Sequence, residues 1–168
     1  MARFLIRKLT QADEPVLWEM LYYALYVPDG HEAFPKEITN EPGIARYVLE
    51  WGKASDDGLA AFDQVTERPL GAVWIRLFEK DNRGYGYVDD GTPELSIAIL
   101  PGYRNQGLGT DLLNRMIAEA GKQYAGLSLS VSAANPAKRL YERLGFQIIE
   151  QKGTSLTMMK RLEKLEGL

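Results

Sequence analysis

Apolar and polar positions alternate with different periods along this chain, and each change of period marks an element. Residues 3–9 alternate crudely and predict a first strand. Residues 10–15 carry helix-start signals, with Thr10 or Asp13 as the cap and Pro15 in the first turn. The helix predicted over residues 13–26 has an apolar stripe of Val16, Leu17, Met20, Leu21, Ala24 and Leu25, and the aromatic residues on its flanks read as core packing. Residues 27–35 are rich in turn formers, and Glu41-Pro42 opens a second predicted helix that runs to Trp51. Residues 59–66 and 70–78 predict an antiparallel hairpin joined at Glu67-Arg68-Pro69. Residues 81–91 have repeated breakers and no period, which predicts a long loop of the kind that often carries function.

The second half is clearer. Residues 95–100 alternate into Pro101-Gly102, a polar loop follows, and a helical pattern begins with Leu108, Leu112, Leu113, Met116, Ile117 and Ala120 on one face. Residues 127–132 alternate with a strict period of two. Asn135-Pro136 then caps and starts a short helix that ends at Gly145 in a left-handed cap, with Phe146 folding back on the helix end. Residues 147–151 and 154–160 predict a closing hairpin, and residues 161–168 a charged, frayed tail. The whole of residues 1–168 reads as one domain.

Composition narrows the chemistry. With 45% hydrophobic and 26% charged residues the chain can bury a sizeable core, and a net charge of −3 supplies no basic field for nucleic acid. The absence of cysteine removes a thiol nucleophile, a disulfide framework and a Cys-based zinc site, and a single histidine leaves no His cluster, so no metal is expected. The N-terminal apolar run is too short for a signal peptide, and no stretch is apolar enough for a membrane span, which predicts a cytoplasmic protein.

The loop between the strand at residues 95–100 and the following helix is the candidate binding element. The first turn of a helix has backbone N–H groups without intrahelical partners, and with the macrodipole they attract phosphate oxygens. Gly107 and Gly109 let an anion approach the main chain, and Arg104 adds a fixed charge. Gly102 and Gly107 have Walker spacing, but Leu108-Gly109 stand where Lys and Ser or Thr are required, which disfavours ATP and GTP. A dinucleotide fingerprint requires a third glycine where this chain has Leu112, which disfavours NAD.

Arg104, Gly107 and Gly109 match the Arg/Gln-x-x-Gly-x-Gly/Ala signature of the GNAT family of N-acetyltransferases. A second segment, Asn135 to Phe146 with its Leu140-Tyr141-Glu142-Arg143-Leu144-Gly145-Phe146 run, resembles that family's later signature, in the right order. The resemblance implies a mixed α/β (α+β) fold with a mostly antiparallel central sheet splayed between strands 4 and 5 and flanked by helices. It implies acetyl-CoA as cosubstrate, with backbone groups of Ile97, Ala98 and Ile99 along the pantetheine arm. By the same resemblance Arg104, Asn105, Gln106, Gly107, Leu108 and Gly109 lie under the pyrophosphate, and Asn135 contacts the arm.

Tyr141 has two readings. It shares a helix face with Ala137, Leu140 and Leu144, as a packed core tyrosine would, while the family resemblance makes it the general acid that protonates the leaving thiolate. A free alkyl ammonium of pKa about 10 must lose a proton before it can attack, so a base or water relay is required. By the family resemblance Glu94, at the start of the central strand, is the candidate base, alongside its reading as a solvated strand-end charge. Relatives that acetylate ribosomal protein N-termini carry a glutamate on the next strand where this chain has Ser130, a departure that leaves the base open. Asp89 and Asp90 could draw in a cationic amine. The acceptor pocket is expected between the first two helices and the hairpin, with Tyr22, Tyr26, His31, Trp74 and Arg76 as candidate wall residues. The implied reaction is direct acetyl transfer to a primary amine of a small molecule or peptide in a ternary complex. The alternative is a CoA-binding sensor or interaction module without turnover, and a homodimer is the base-rate expectation for assembly.

Overall fold

The computed structural model describes residues 3–163, so the rest of the expected C-terminal tail lies outside it. Seven strands form one sheet: β1 (Phe4–Lys8), β2 (Asp57–Asp63), β3 (Pro69–Arg76), β4 (Glu94–Ile99), β5 (Gly126–Ser132), β6 (Gln147–Lys152) and β7 (Ser155–Arg161). Their order is β1-β2-β3-β4-β5-β7-β6, and every neighbouring pair is antiparallel except β4 with β5. The helices are α1 (Glu14–Ala24), α2 (Pro42–Ala45), α3 (Leu108–Ala120) and α4 (Ala137–Arg143).

The apolar run of β3 explains its central place, because a strand covered on both faces loses the polar alternation of a half-exposed one. Val73 and Ile75 pack with Leu112, Leu113 and Met116 of α3, while Ala72 and Trp74 pack with Leu17 and Met20 of α1. α4 joins the α3 side through Tyr141 and through Phe146, whose backbone N–H returns to the Tyr141 carbonyl (3.0 Å) after the expected left-handed turn at Gly145 (φ +98°).

Three elements differ from the sequence expectation. The first helix opens with a 3-10 turn at Gln11–Asp13 and stops at Ala24 rather than Tyr26. The second is regular only over Pro42–Ala45, because Arg76 captures the carbonyls of Arg46 (3.0 Å), Leu49 (2.7 Å) and Glu50 (3.3 Å), and Glu50 takes φ +61°. β2 ends at Asp63 instead of Thr66, since the Asp63 carboxylate accepts the N–H groups of Val65 (2.8 Å) and Thr66 (2.9 Å) and turns the chain early.

The first crossover is tied to the sheet by one carboxylate. Asp13 accepts both ends of the Arg7 guanidinium (2.9 and 3.0 Å) and the backbone N–H (2.7 Å) and hydroxyl (3.1 Å) of Thr10. The Arg7 hydrogen bond is the largest cause that holds the Asp13 carboxyl down at about 2. A depressed carboxyl stabilises the fold above its unfolded pKa of about 3.9 and loses that contribution as pH falls through about 2. Asp13→Asn is therefore expected to destabilise by about 1–2 kcal/mol at pH 7, with a gap that closes as pH approaches 2, as read from urea unfolding at both pH values.

Candidate active site

β3 pairs with the full length of β4, from Gly71 with Ile99 to Arg76 with Glu94, but β5 meets β4 only at Glu94 with Ser128. Beyond that pair the two strands diverge, and backbone groups on the open edge of β4 are left without ladder partners. The divergence opens a cavity of about 390 Å³ that passes between the two faces of the sheet. Ile97, Val131, Asn135 and Tyr141 line the side nearer α3 and α4, and Leu21, Tyr26, Phe34 and Ile44 line the side nearer α1 and α2. The sequence expectation for the pocket is corrected on one wall: β4 and β5 form it, and the β2–β3 hairpin does not.

The loop from Leu100 to Gly107 follows β4 directly. Left-handed turns at Gly102 (φ +89°), Asn105 (φ +60°) and Gly107 (φ +84°) curl it into a concave surface. The first helical bond joins the Asp111 N–H to the Gly107 carbonyl (3.1 Å), so the N–H groups of Leu108, Gly109 and Thr110 have no backbone acceptor among the described residues. Gly107 precedes α3 in a conformation that side chains rarely adopt, which accounts for glycine there. Arg104 does not project freely: its guanidinium donates to the carbonyls of Ile99 (3.0 Å) and Tyr23 (3.4 Å), and Gln106 donates to the Gly102 carbonyl (3.0 Å). These bonds strap the loop to β4 and α1.

Tyr141 is buried under Phe146, with ring centroids 6.0 Å apart, and burial pushes its phenol up to about 12. Its hydroxyl has no hydrogen-bond partner among the described residues, and Tyr141 is one of the residues that line the cavity. The phenol is thus neutral and available as a donor throughout the ordinary pH range. Asn135 caps α4 by accepting the Ala137 N–H on its side-chain oxygen (2.9 Å), and it is one of the residues that line the cavity. The side chains of Ile97 and Ile99 pack on the α3 side and that of Ala98 on the α1 side, and of the three only Ile97 lines the cavity.

Glu94 is not a solvated strand-end charge. It is 3% exposed, accepts the Tyr47 hydroxyl (2.5 Å) and the Gly86 backbone N–H (3.0 Å), and forms part of the cavity wall. Burial raises its carboxyl to about 7, against the opposing hydrogen bonds and the charge of Arg46. The long loop before β4 makes this environment. A side chain at Gly84 would meet the Glu94 carboxylate and the Tyr47 hydroxyl, and one at Gly86 would meet the β5 backbone at Leu129 and Ser130, so only glycine lets the chain pass this close. Tyr85 between them stacks on Tyr47 at 6.5 Å, and its N–H donates to the Tyr47 hydroxyl (2.7 Å).

The remaining expected wall residues fall in different places. Tyr26 lines the cavity, and its hydroxyl donates to the Ala134 carbonyl (3.2 Å). Tyr22 stands behind the wall and donates to the Phe34 carbonyl (2.5 Å). Trp74 and Arg76 are not at the cavity: Trp74 is fully buried with its indole N–H on the Tyr47 carbonyl (3.0 Å), and Arg76 forms a two-armed pair with Asp56 (3.0 Å for each arm). His31 is exposed on the loop after α1 and does not line the cavity. Asp90 accepts the Tyr87 hydroxyl (2.5 Å) and Asp89 the Gly91 N–H (2.9 Å), so both loop acids serve local turns. Tyr47, Tyr85, Phe34 and Ile44 are cavity residues that the sequence did not single out, although the closely spaced Gly84 and Gly86 marked where the chain passes Glu94.

Because the Tyr47 hydroxyl stabilises the charged form of Glu94, Tyr47→Phe is expected to raise the Glu94 pKa further above about 7. A 13C titration of the Glu94 carboxyl reads this directly, and an unchanged or lowered midpoint would remove Tyr47 from the control of that charge.

Residues 59–148 match the family model described as the acetyltransferase (GNAT) domain, a span that runs from within β2 to the start of β6. An N-acetyltransferase of Methanocaldococcus jannaschii is 29% identical over 166 residues, covering 95% of this chain and 67% of that one. N-alpha-acetyltransferase 50 of Danio rerio is 30% identical over 123 residues, covering 71% of this chain and 65% of that one, so this chain spans about two thirds of the length of both relatives. The PaiA N-acetyltransferase of Thermoplasma acidophilum, solved in complex with coenzyme A, shares the fold with a TM-score of 0.65 at 18% identity, over 95% of this chain and 99% of that one. The matched domain contains the glycine loop and the helix of Tyr141, and this chain belongs to the GNAT acetyltransferase family.

Proposed function

We propose that this protein transfers an acetyl group from acetyl-CoA to a primary amine by direct attack within a ternary complex. The observation that carries the reading is the meeting of Glu94 and Tyr141 in one cavity at the parting of β4 and β5, with the N–H-rich loop at the near end of α3. The loop suits a pyrophosphate, and the open edge of β4 suits the amides of a pantetheine arm. Relatives solved with coenzyme A or acetyl-CoA support the choice of cosubstrate.

Glu94, raised to about 7, accepts the proton that the attacking amine must lose, directly or through water. The amine nitrogen then bonds to the thioester carbon, the carbon–sulfur bond breaks, the phenol of Tyr141 donates its proton to the departing sulfur, and the second proton of the nitrogen, lost as the amide forms, restores the phenol directly or through water. A phenol at about 12 is a weak acid toward an ordinary thiolate, but burial that raises the phenol also raises a thiol formed beside it, so the gap between them is narrower than the raised phenol alone implies. No cysteine is present to carry the acetyl group, which favours one direct displacement.

The proton accounting sets the test. Tyr141→Phe is expected to lower kcat by about 10²–10⁴-fold while coenzyme A binding, measured by calorimetry, stays within about threefold. A CoA sensor without turnover would show no acetyl transfer in the parent protein. In the parent, kcat/KM should rise with pH through about 7 as Glu94 loses its proton, and Glu94→Gln should abolish that limb. Unchanged turnover in Tyr141→Phe, or an intact limb in Glu94→Gln, would take that residue out of the mechanism.

A further inference from the structure

The acceptor side of the cavity has a composition that selects among amines. Its wall is made by Leu21, Leu25, Tyr26, Phe34, Ile44 and Tyr85, and Glu94 is the one charged residue among all the described lining residues. Three polar groups at that wall are already engaged, the Tyr26 hydroxyl with the Ala134 carbonyl, the Tyr47 hydroxyl with Glu94, and the Phe34 carbonyl with Tyr22, and the Tyr85 hydroxyl carries no counter-charge. The guanidinium groups behind it are engaged as well, Arg46 with the carbonyls of Pro42 and Arg83 and Arg76 with Asp56.

We infer that the acceptor is a monoamine carried on an apolar body, a deepening that rests on the acetyl-transfer reading of the same site. One carboxylate accommodates one ammonium before it is deprotonated. A second ammonium, as in a polyamine, would be desolvated against leucine and aromatic surface without a counter-charge. The α-carboxylate of a free amino acid would meet no lining cation. An aliphatic or aromatic group next to the amine instead gains from leaving water. A free alkyl or arylalkyl amine and a peptide N-terminus with an apolar first side chain share this chemistry.

The matched pair pentylamine and 1,5-diaminopentane isolates the second charge at constant chain length. With the intact protein and acetyl-CoA, free thiol release should give pentylamine and phenethylamine a kcat/KM about a hundredfold above that of the diamine or of free leucine. Leu-Ala-Ala-amide and Asp-Ala-Ala-amide separate the sources: a leucine peptide that exceeds both free amines identifies a peptide N-terminus, and free amines that exceed it identify a small molecule. Phe34→Asp, at the mouth, and Ile44→Glu, from α2, should each raise the diamine-to-pentylamine ratio about tenfold by adding the missing counter-charge. A diamine or free amino acid that equals or exceeds pentylamine, or a ratio that neither variant moves, would overturn the inference and leave acetyl transfer standing. Coenzyme A binding with no amine acetylated would instead overturn the transfer reading.

Discussion

The structure depends on a sheet that stops pairing in its middle. A backbone N–H or carbonyl away from water requires a partner, and β4 finds such partners along β3 but meets β5 only at the Glu94–Ser128 pair. The unpaired stretch is held open because both flanks are fixed independently. β5 is paired along its length to β7, and β4 is bound on its other edge to a strand buried on both faces. The cleft is therefore a property of the framework and does not require a ligand to part the strands. Pre-formed clefts avoid the ordering cost that a collapsed one would impose on binding.

Two polar devices let that framework hold a buried acid. Arg76, 4% exposed, gathers the carbonyls of residues 46, 49 and 50 while it pairs with Asp56, and so fixes the irregular segment that carries Tyr47. Tyr47 and the Gly86 N–H then donate to Glu94, which is 3% exposed and forms part of the cavity wall. Desolvation outweighs both donors, which leaves a carboxyl that titrates near neutrality instead of near its usual range. The same balance explains why the loop before β4 is long and glycine-rich: its path must come within hydrogen-bonding distance of Glu94 and pass flat against β5.

Features that arise from local chemistry were legible in the sequence. The strict alternation of residues 127–132, the Asn135 cap and the Gly145 turn each depend on residues close together in the chain, and all three stand where expected. The glycine loop and the Leu140–Phe146 run were legible as signatures for the same reason. Features made by distant partners were hidden. Tyr47 and Glu94 lie 47 residues apart, and nothing in the helical pattern of residues 41–51 distinguishes a core tyrosine from one whose hydroxyl meets a carboxylate. Arg76 is a candidate wall residue only while the pocket is placed against the hairpin, and its partners are three carbonyls and one aspartate on the segments that precede β2. Trp74 shares that placement, and strand alternation assigns a face but not what covers it.

Alternation also explains how the two candidate proton-handling groups come to stand on opposite sides of the sheet. Along β4, Leu95 and Ile97 point toward α3 and Ala98 toward α1, and Glu94 meets Tyr47 on the α1 side. Tyr141 belongs to α4 and reaches the same cavity from the α3 side. A molecule that passes through the gap between β4 and β5 thus meets the Glu94 carboxyl on one face and the Tyr141 phenol on the other. Closing the β4–β5 ladder would separate these two environments by a wall of backbone, so the break in the ladder is what joins them into one site.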